Sequence, residues 1–565
     1  MTARRPDPRH RRAPAPKAKT LVSKGRAAGP ATAVLDQAHV GNIEGTFGTI
    51  LMDDRARRRS WRARLLTLAA IMGPGLIVMV GDNDAGGVST YAQAGQDFGY
   101  SLLWTLVLLI PVLIVNQEMV VRLGAVTGVG HARLINERFG RFWGFFSVGD
   151  LFILNFLTIV TEFIGIGLAS EYFGISRYLV IPLAALLLIG ITASGNFRRW
   201  ERSMFVFLFA SLLVIPLVVL SRPSLTSTLH GSVVPDIHGG VTSNSVLLII
   251  AIVGTTVAPW QLFFQQSNVI DKRITPRWMP YEKADTVIGA VVVVVGAAAI
   301  MIAAAAAFSG TSAFGQFSDA FGSAQGLAAR YGWLEGAIFA IVLFDASIVG
   351  ASAVTLATSY AFGDVFGLRH SLHHGVREAK VFYGSYSAMV AVAAGIVLIP
   401  NAPLGVMTTA VQALAGILLP SASVFLVLLC NDREVLGPWV NKLWLNALAT
   451  VIVGILLILS LILVVSTLLP AVDVRVLLEV LSALLLLGLA GSGGVIWWSG
   501  RNHPKAPTPV YHDPLNWRMP PLALLKTPAW SMGRRVAILA LRGYLVVAVA
   551  LLVVKAVQLA LVVHH

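Results

Sequence analysis

The sequence predicts an all-α polytopic membrane protein. Its plan is an inverted repeat of five plus five transmembrane helices, the first and sixth discontinuous, with extra helices at the C-terminus. Three observations predict it. Hydrophobic residues make up 56% of the 565 and charged residues 13%, with a mean hydropathy of +0.75, a balance foreign to soluble domains of this size. Twelve apolar runs are long enough to span a bilayer. Two of them, five spans apart, are interrupted by Gly and Pro at mid-membrane depth, and paired interruptions in two halves place a binding site between them.

Residues 1–60 come first. They hold Arg4, Arg5, Arg9, Arg11, Arg12, Arg55, Arg57, Arg58 and Arg59 among Pro and Ala, with no apolar signal core. This reads as a basic, disordered cytoplasmic tail. An Arg-rich, acid-poor start also resembles an organellar transit peptide, but that leaves the later charge pattern unexplained. The first repeat, 61–222, carries runs at about 63–92, 98–121, 143–170, 177–195 and 203–221. The second, 245–430, carries runs at about 245–270, 284–308, 332–362, 380–400 and 404–429. Residues 431–565 add runs at about 441–469 and 475–499. A last run, 535–563, is broken by Arg542 and Lys555 and reads as a thirteenth span or an interfacial helix, with a peripheral role preferred.

Basic connections follow the even-numbered runs: Arg122 to Arg141, Arg198 to Arg202, Asp271-Lys272-Arg273, Arg369 to Arg377 and Asp432-Arg433. Loops 222–244 and 309–330 are poor in Lys and Arg. The positive-inside rule then puts the N-terminus and the basic loops in the cytoplasm of a cell that carries the protein in its plasma membrane. The formal charge of +15 sits in the tail and these loops, so nucleic acid is not an expected partner; the bilayer is. The single cysteine, Cys430, excludes an internal disulfide. Nothing in the sequence sets an oligomeric state, and a monomer is compatible with it.

The first interrupted run opens with Gly73-Pro74-Gly75 and continues to Gly81-Asp82-Asn83-Asp84-Ala85-Gly86-Gly87. Two carboxylates and a carboxamide at membrane depth are expensive unless they face a cavity or a partner. Unwound backbone adds free carbonyls, and is tolerated only where it lines a cavity. Carboxylate, carboxamide and carbonyl oxygens are the ligands a hard divalent cation prefers. The partner interruption is Gly254-Thr255-Thr256-Val257-Ala258-Pro259-Trp260-Gln261.

With these motifs the chain resembles the NRAMP family of divalent metal transporters over roughly residues 60–470. Gln93-Ala94-Gly95, Phe98-Gly99-Tyr100, Arg122 to Gly128, Thr161-Glu162 with Gly165, and Asn431-Asp432-Arg433 are family-like as well. The resemblance implies a LeuT-like fold and a transporter rather than an enzyme, with no cofactor, the metal being cargo. It implies Asp84 as the essential carboxylate and backbone carbonyls from Gly81 and Thr255. The departures redirect the reading. The family's Met-Pro-His-Asn falls on Ala258-Pro259-Trp260-Gln261, and its first-helix asparagine ligand falls on Gly87. A soft thioether that favours transition metals is thus lost. A roomier, all-oxygen pocket suits partly hydrated Mg2+, with Mn2+ as a second substrate. This pattern is similar to the NRAMP-related magnesium transporters.

The family's proton machinery is also thinned. Its sixth-helix histidines match Trp260 and Gln265, an expected third-helix carboxylate is Ile159, and only Glu162 remains. All twelve histidines fall outside the predicted spans, which argues for uncoupled transport. Each charge gains about 2.3 kcal/mol per 100 mV, so about 4.6 kcal/mol for two supports roughly a 2,000-fold gradient. Asp82 either coordinates through water or caps the helix break. Gln261 and Gln265, one turn apart, either touch the ion's water shell or bond between helices, and Asn83 beside Asp84 is a further candidate ligand. Trp260 packs or walls the path. Asp345, an intramembrane carboxylate in the eighth span, is a functional candidate; Gln412 falls near a family glutamine that the resemblance implies can approach the ion; Glu118 is expected to pair with another helix. The alternatives are a proton-coupled Mn2+/Fe2+ symporter, an organic-substrate transporter of the same fold, and a divalent channel.

Overall fold

The computed structural model describes residues 33–34, 36–400, 404–469, 472–502, 511, 513–526, 535 and 537–546. A hairpin comes first, β1 (Ile43–Gly45) and β2 (Gly48–Ile50), with Ile43 opposite Ile50. Then follow α1 (Trp61–Ile71), α2 (Pro74–Val80), α3 (Ala85–Phe98), α4 (Leu103–Thr127) and α5 (His131–Phe139). The first half closes with α6 (Arg141–Tyr172), α7 (Arg177–Thr192), α8 (Phe197–Ala210), α9 (Val214–Leu220) and α10 (Leu225–Val233). The second half holds α11 (Ser243–Thr256), α12 (Pro259–Asp271), α13 (Met279–Phe308), α14 (Ala320–Tyr331), α15 (Trp333–Phe366), α16 (Lys380–Val397) and α17 (Leu404–Cys430). α18 (Arg433–Leu436), α19 (Leu443–Leu468), α20 (Val474–Asn502) and a short helix, Ala537–Val546, complete the described chain.

All twelve apolar runs contain helix. Among the described residues nine helices are long and apolar enough to cross a membrane, or up to eleven when each bent pair counts as one span. The two broken helices, α2–α3 and α11–α12, lie at the centre. α13 packs on α2 and α3, α17 on α11, α4 on α12, and α6 on α15. The fold is the inverted-repeat one, with the first and sixth spans discontinuous.

The breaks follow from local chemistry. Asp84 N-caps α3, its Oδ1 accepting from Gly87 N at 2.7 Å. Pro259 occupies the first turn of α12 and has no N–H, so the Thr255 carbonyl four residues back has no helical donor.

Four expectations change. The first run, 63–92, is not one helix: α1 bends 57° from α2 before α2 itself breaks from α3. The tail expected to be disordered folds in part. Ile43 and Ile50 are buried with Ile71, Val121, Val269, Ile274 and Trp278, so residues of the tail close one face of the bundle. Several loop charges are not loop charges. Lys272, counted with a basic loop, is fully buried against Glu201, and Arg138 is buried against Asp432 with Nη2–Oδ2 2.7 Å. Of the run 535–563, only residue 535 and 537–546 lie within the described residues. That short helix packs on the bundle, Tyr544 donating to the Ile417 carbonyl at 2.5 Å. Residues 1–32 lie outside the described residues.

Candidate metal site

The two breaks meet. An atom placed at the Cβ position of Gly87 would stand 2.9 Å from the Asp82 carbonyl oxygen, 3.2 Å from Thr255 Oγ1 and 3.4 Å from Asp84 Oδ1. Three oxygens from both broken helices therefore surround one small volume. Thr255 Oγ1 is buried and without a hydrogen-bond partner, and so are both carboxylate oxygens of Asp82. Buried polar atoms are almost always paired, so this concentration of unpaired oxygens needs a ligand to explain it. Among the described residues no backbone N–H donates to the carbonyls of Gly81 or Asp82. The C-terminal ends of α2 and α11, where helix dipoles are negative, face the same place.

Asp84 is 2% exposed and does two jobs, capping α3 and meeting Glu162. Glu162, on α6, accepts from Ala85 N at 3.0 Å through Oε2, while its Oε1 has no partner. Gly350 on α15 makes room for both: its Cβ position is 2.8 Å from Asp84 Cβ and 2.8 Å from Glu162 Oε2. Asp82 caps no helix, since neither of its carboxylate oxygens accepts from a backbone N–H. Ala258, 5% exposed, is the N-cap residue of α12 and presents only a methyl.

The other expected residues divide. Gln261 adjoins the Asp82 carboxylate; its Oε1 accepts from Gln117 Nε2 at 3.0 Å. Trp260 lies against Gly81, its Cη2 3.5 Å from that Cβ position, with Nε1 unpaired. It stands as a wall between the two breaks. Gln265 is not brought to the cluster: its Nε2 donates to Thr286 Oγ1 on α13 at 2.9 Å. Asn83 also turns away, donating to the Val293 carbonyl at 3.1 Å. Gln412 on α17 does arrive, its carboxamide packed on Gly86 with Nε2 unpaired. Glu118 pairs with Lys283 of α13, and also with Arg122 of its own helix at 2.9 Å.

The sequence reading missed a second buried network on the hairpin side of the breaks. Lys272 Nζ lies 2.5 Å from Glu201 Oε1 and 2.7 Å from the Met72 carbonyl, both side chains without exposure. Glu201 Oε2 accepts from Thr46 N at 2.6 Å and Thr46 Oγ1 at 2.8 Å. Asp285 Oδ2 accepts from Gly73, Gly75 and Leu76 N at 3.0, 2.8 and 3.2 Å, fixing the start of α2. The one signal in the sequence was a lone acid, Glu201, inside an arginine run. Here the hairpin, α1–α2, α8 and α12 are bolted together.

Among the described residues no three His, Cys, Asp or Glu side chains converge to hold a metal ion. The cluster instead mixes carboxylate, hydroxyl and carbonyl oxygen, which a hard cation accepts and a soft one does not select. Residues 75–466 match the family described as "Natural resistance-associated macrophage protein-like" (Nramp). The divalent metal cation transporter MntH of Staphylococcus aureus is 27% identical over 424 residues, covering 70% of this chain and 91% of that protein. A crystal structure of the manganese transporter of Eremococcus coleocola aligns with a TM-score of 0.58 at 22% identity, over 77% of this chain and 95% of that one. A variant of that transporter aligns at 0.61 and 21%, over 81% and 97%.

Proposed function

The chain belongs to the Nramp family, and from that premise we infer what it carries. It is a multi-pass membrane transporter of divalent metal cations. In our reading Mg2+ is the preferred cargo and Mn2+ a second one, carried partly hydrated by alternating access and without protons. We place the N-terminus and hairpin on the cytoplasmic side, which the basic loops favour, and the protein in a plasma membrane.

One observation carries the magnesium reading. The ligand-grade atoms gathered at the breaks are oxygens, from Asp82, Asp84 and Thr255, while position 87 has no side chain and position 258 only a methyl. Mg2+ wants near-octahedral oxygen, and with neither a thioether at position 258 nor a side chain at position 87 no softer ligand joins these oxygens. The manganese and divalent-metal transporters it resembles support Mn2+ as the second substrate.

The chemistry asked of these residues is modest. Asp84 and Asp82 supply charge, the Thr255 hydroxyl and free carbonyls complete the shell, and Trp260 and Gln412 bound the space. The Lys272–Glu201–Asp285 network holds the hairpin side closed, so release on that side requires the bolt to open. The membrane potential is sufficient drive for a doubly charged ion.

A second reading, proton-coupled Mn2+ or Fe2+ symport, is favoured by the contact of Glu162 with Asp84. Two carboxyl groups in contact favour a cation or a proton between them. The contact does not extend into a relay: Asp150 accepts from Ser421 Oγ at 3.0 Å, and neither oxygen of Asp345 has a partner. The deciding experiment uses proteoliposomes with an inside-negative potential and an internal pH dye. Mg2+ uptake without acidification is expected. Acidification proportional to uptake, or strong Cd2+ flux with no Mg2+ flux, refutes the reading.

A further inference from the structure

Away from the oxygen cluster, a cavity of about 250 Å3 lies between α9, α13 and α15. Its lining is aliphatic except for a serine and two side chains with unpaired oxygens. Asp345, on α15, is 3% exposed, and neither of its carboxylate oxygens has a hydrogen-bond partner. Asn83, in the break of the first span, donates to Val293 and leaves Oδ1 unpaired. The outer wall is Leu212, Ile215, Val291 and Val295, exposed by 47, 54, 44 and 58%. Those residues sit on the apolar outside of spanning helices, so the cavity opens sideways into hydrocarbon, not into water.

A buried carboxylate with no partner is expensive at membrane depth and marks a site of function. Two occupants fail. A hydrated divalent ion does not enter through hydrocarbon, and an acyl chain satisfies neither carboxylate oxygen. The occupant that matches has an apolar body for the valines and a cationic N–H head for the carboxylate, with Asn83 Oδ1 as a second acceptor. We propose that this cavity binds lipophilic organic amines that reach it from the bilayer. The inference stands apart from the choice of metal. Val80 and Asn83 border both the cavity and the break, and Val349, one turn beyond Asp345, lies 3.4 Å from the Cβ position of Gly81. A bound amine therefore wedges the first broken helix and slows metal flux without occupying the metal position.

The test compares phenylbutylamine with the neutral phenylbutanol on the full-length protein in lipid nanodiscs, by calorimetry. The amine is expected to bind at least roughly tenfold tighter than the alcohol, the difference expected of a charge-assisted hydrogen bond. Asp345→Asn should erase that difference. Val291→Trp, which plugs the mouth from the lipid side, should abolish amine binding and leave Mn2+ binding unchanged. Asp84→Ala should leave amine binding intact. Equal binding of amine and alcohol overturns the proposal, as does amine binding that survives both Asp345→Asn and Val291→Trp. Loss of amine binding in Asp84→Ala, or its displacement by saturating Mn2+, places the amine in the metal site and overturns it too.

Discussion

A methyl group at position 87 probes whether the oxygen cluster is the cation site. In Gly87→Ala the new carbon would stand 2.9 Å from the Asp82 carbonyl, 3.2 Å from Thr255 Oγ1 and 3.4 Å from Asp84 Oδ1. The closest neighbour is backbone, anchored on either side by turns at Met79–Asp82 and Val80–Asn83, so relief requires the break itself to move. Overpacking of this kind costs about 1–3 kcal/mol. The oxygens pushed apart are the ones proposed to close on the ion, so the strain falls on the bound geometry. That range corresponds to about 5- to 150-fold in affinity. Calorimetry on the purified protein should show Mg2+ and Mn2+ binding weakened within this range. Ala258→Met adds a thioether at the start of α12 and should move preference toward Mn2+ and Cd2+. Gly87→Asn returns a carboxamide but carries the same crowded carbon, so the double variant should gain soft-ion preference while losing affinity overall. Gly87→Ala with wild-type affinity for both ions would refute the assignment of this cluster.

Asp84→Ala should abolish Mg2+ and Mn2+ binding in calorimetry while the protein still purifies folded; binding at wild-type affinity would move the site elsewhere. Asp82→Asn removes an unpaired buried carboxylate, so it should stabilise the metal-free protein by roughly 1–3 kcal/mol and weaken metal binding; a thermal melt that falls instead contradicts this. Lys272→Met strands Glu201 and should cost about 3–5 kcal/mol, whereas Lys272→Met with Glu201→Gln, which keeps an acceptor for Thr46, should recover most of it; additive losses would show the pair is not a unit. The hairpin side should also carry a pH optimum. Burial opposes the charge on His370, but Asp364, 3.0 Å away, outweighs it and holds the imidazole up to about 8. Burial pushes His39 down to about 4, against the pull of Asp271. His370 contributes stability below its ordinary value near 6.5 and loses it as pH rises through about 8; His39 contributes above 6.5 and loses it as pH falls toward 4. Melting temperature against pH should therefore peak near 6.5, and His370→Asn should flatten the alkaline limb.

What the sequence disclosed and what it hid divide along a physical line. Helix breaks are written locally: Gly and Pro around Asp84 and Pro259 made both visible in the chain, while the choice of Asp84, Gly81, Thr255 and Ala258 as site positions came from the family resemblance. Polar partners across the bundle are not local. Gln261 and Gln265 are one turn apart on one helix, yet one reaches Asp82 and the other Thr286, because the facing helix differs at each. Asn83 is flanked by two carboxylates and nonetheless faces α13. The same limit explains the tail. Arginine, proline and alanine dominate it, and the two isoleucines that fold it are too few to show periodicity. Charge counting failed at Lys272 for a related reason, since a lysine beside a loop looks solvated until Glu201 is found opposite.

The hairpin has a consequence for how the chain is made. Its contacts are all downstream: Ile43 and Ile50 pack on Val269 and Trp278, and Ala33 N bonds the Met519 carbonyl at 3.1 Å while Met519 N bonds that of Val126 at 3.2 Å. A ribosome adding about 5–20 residues per second releases this segment roughly 10–45 s before Trp278 exists, and on the order of a minute before Met519 does. Glu201, the partner of Thr46, is made before Trp278, but until Val269, Ile274 and Trp278 follow, the cover of the two isoleucines is incomplete. Ala33 and the hairpin, made early, thus settle late, and their docking reports that both halves of the bundle and the segment around Met519 have arrived.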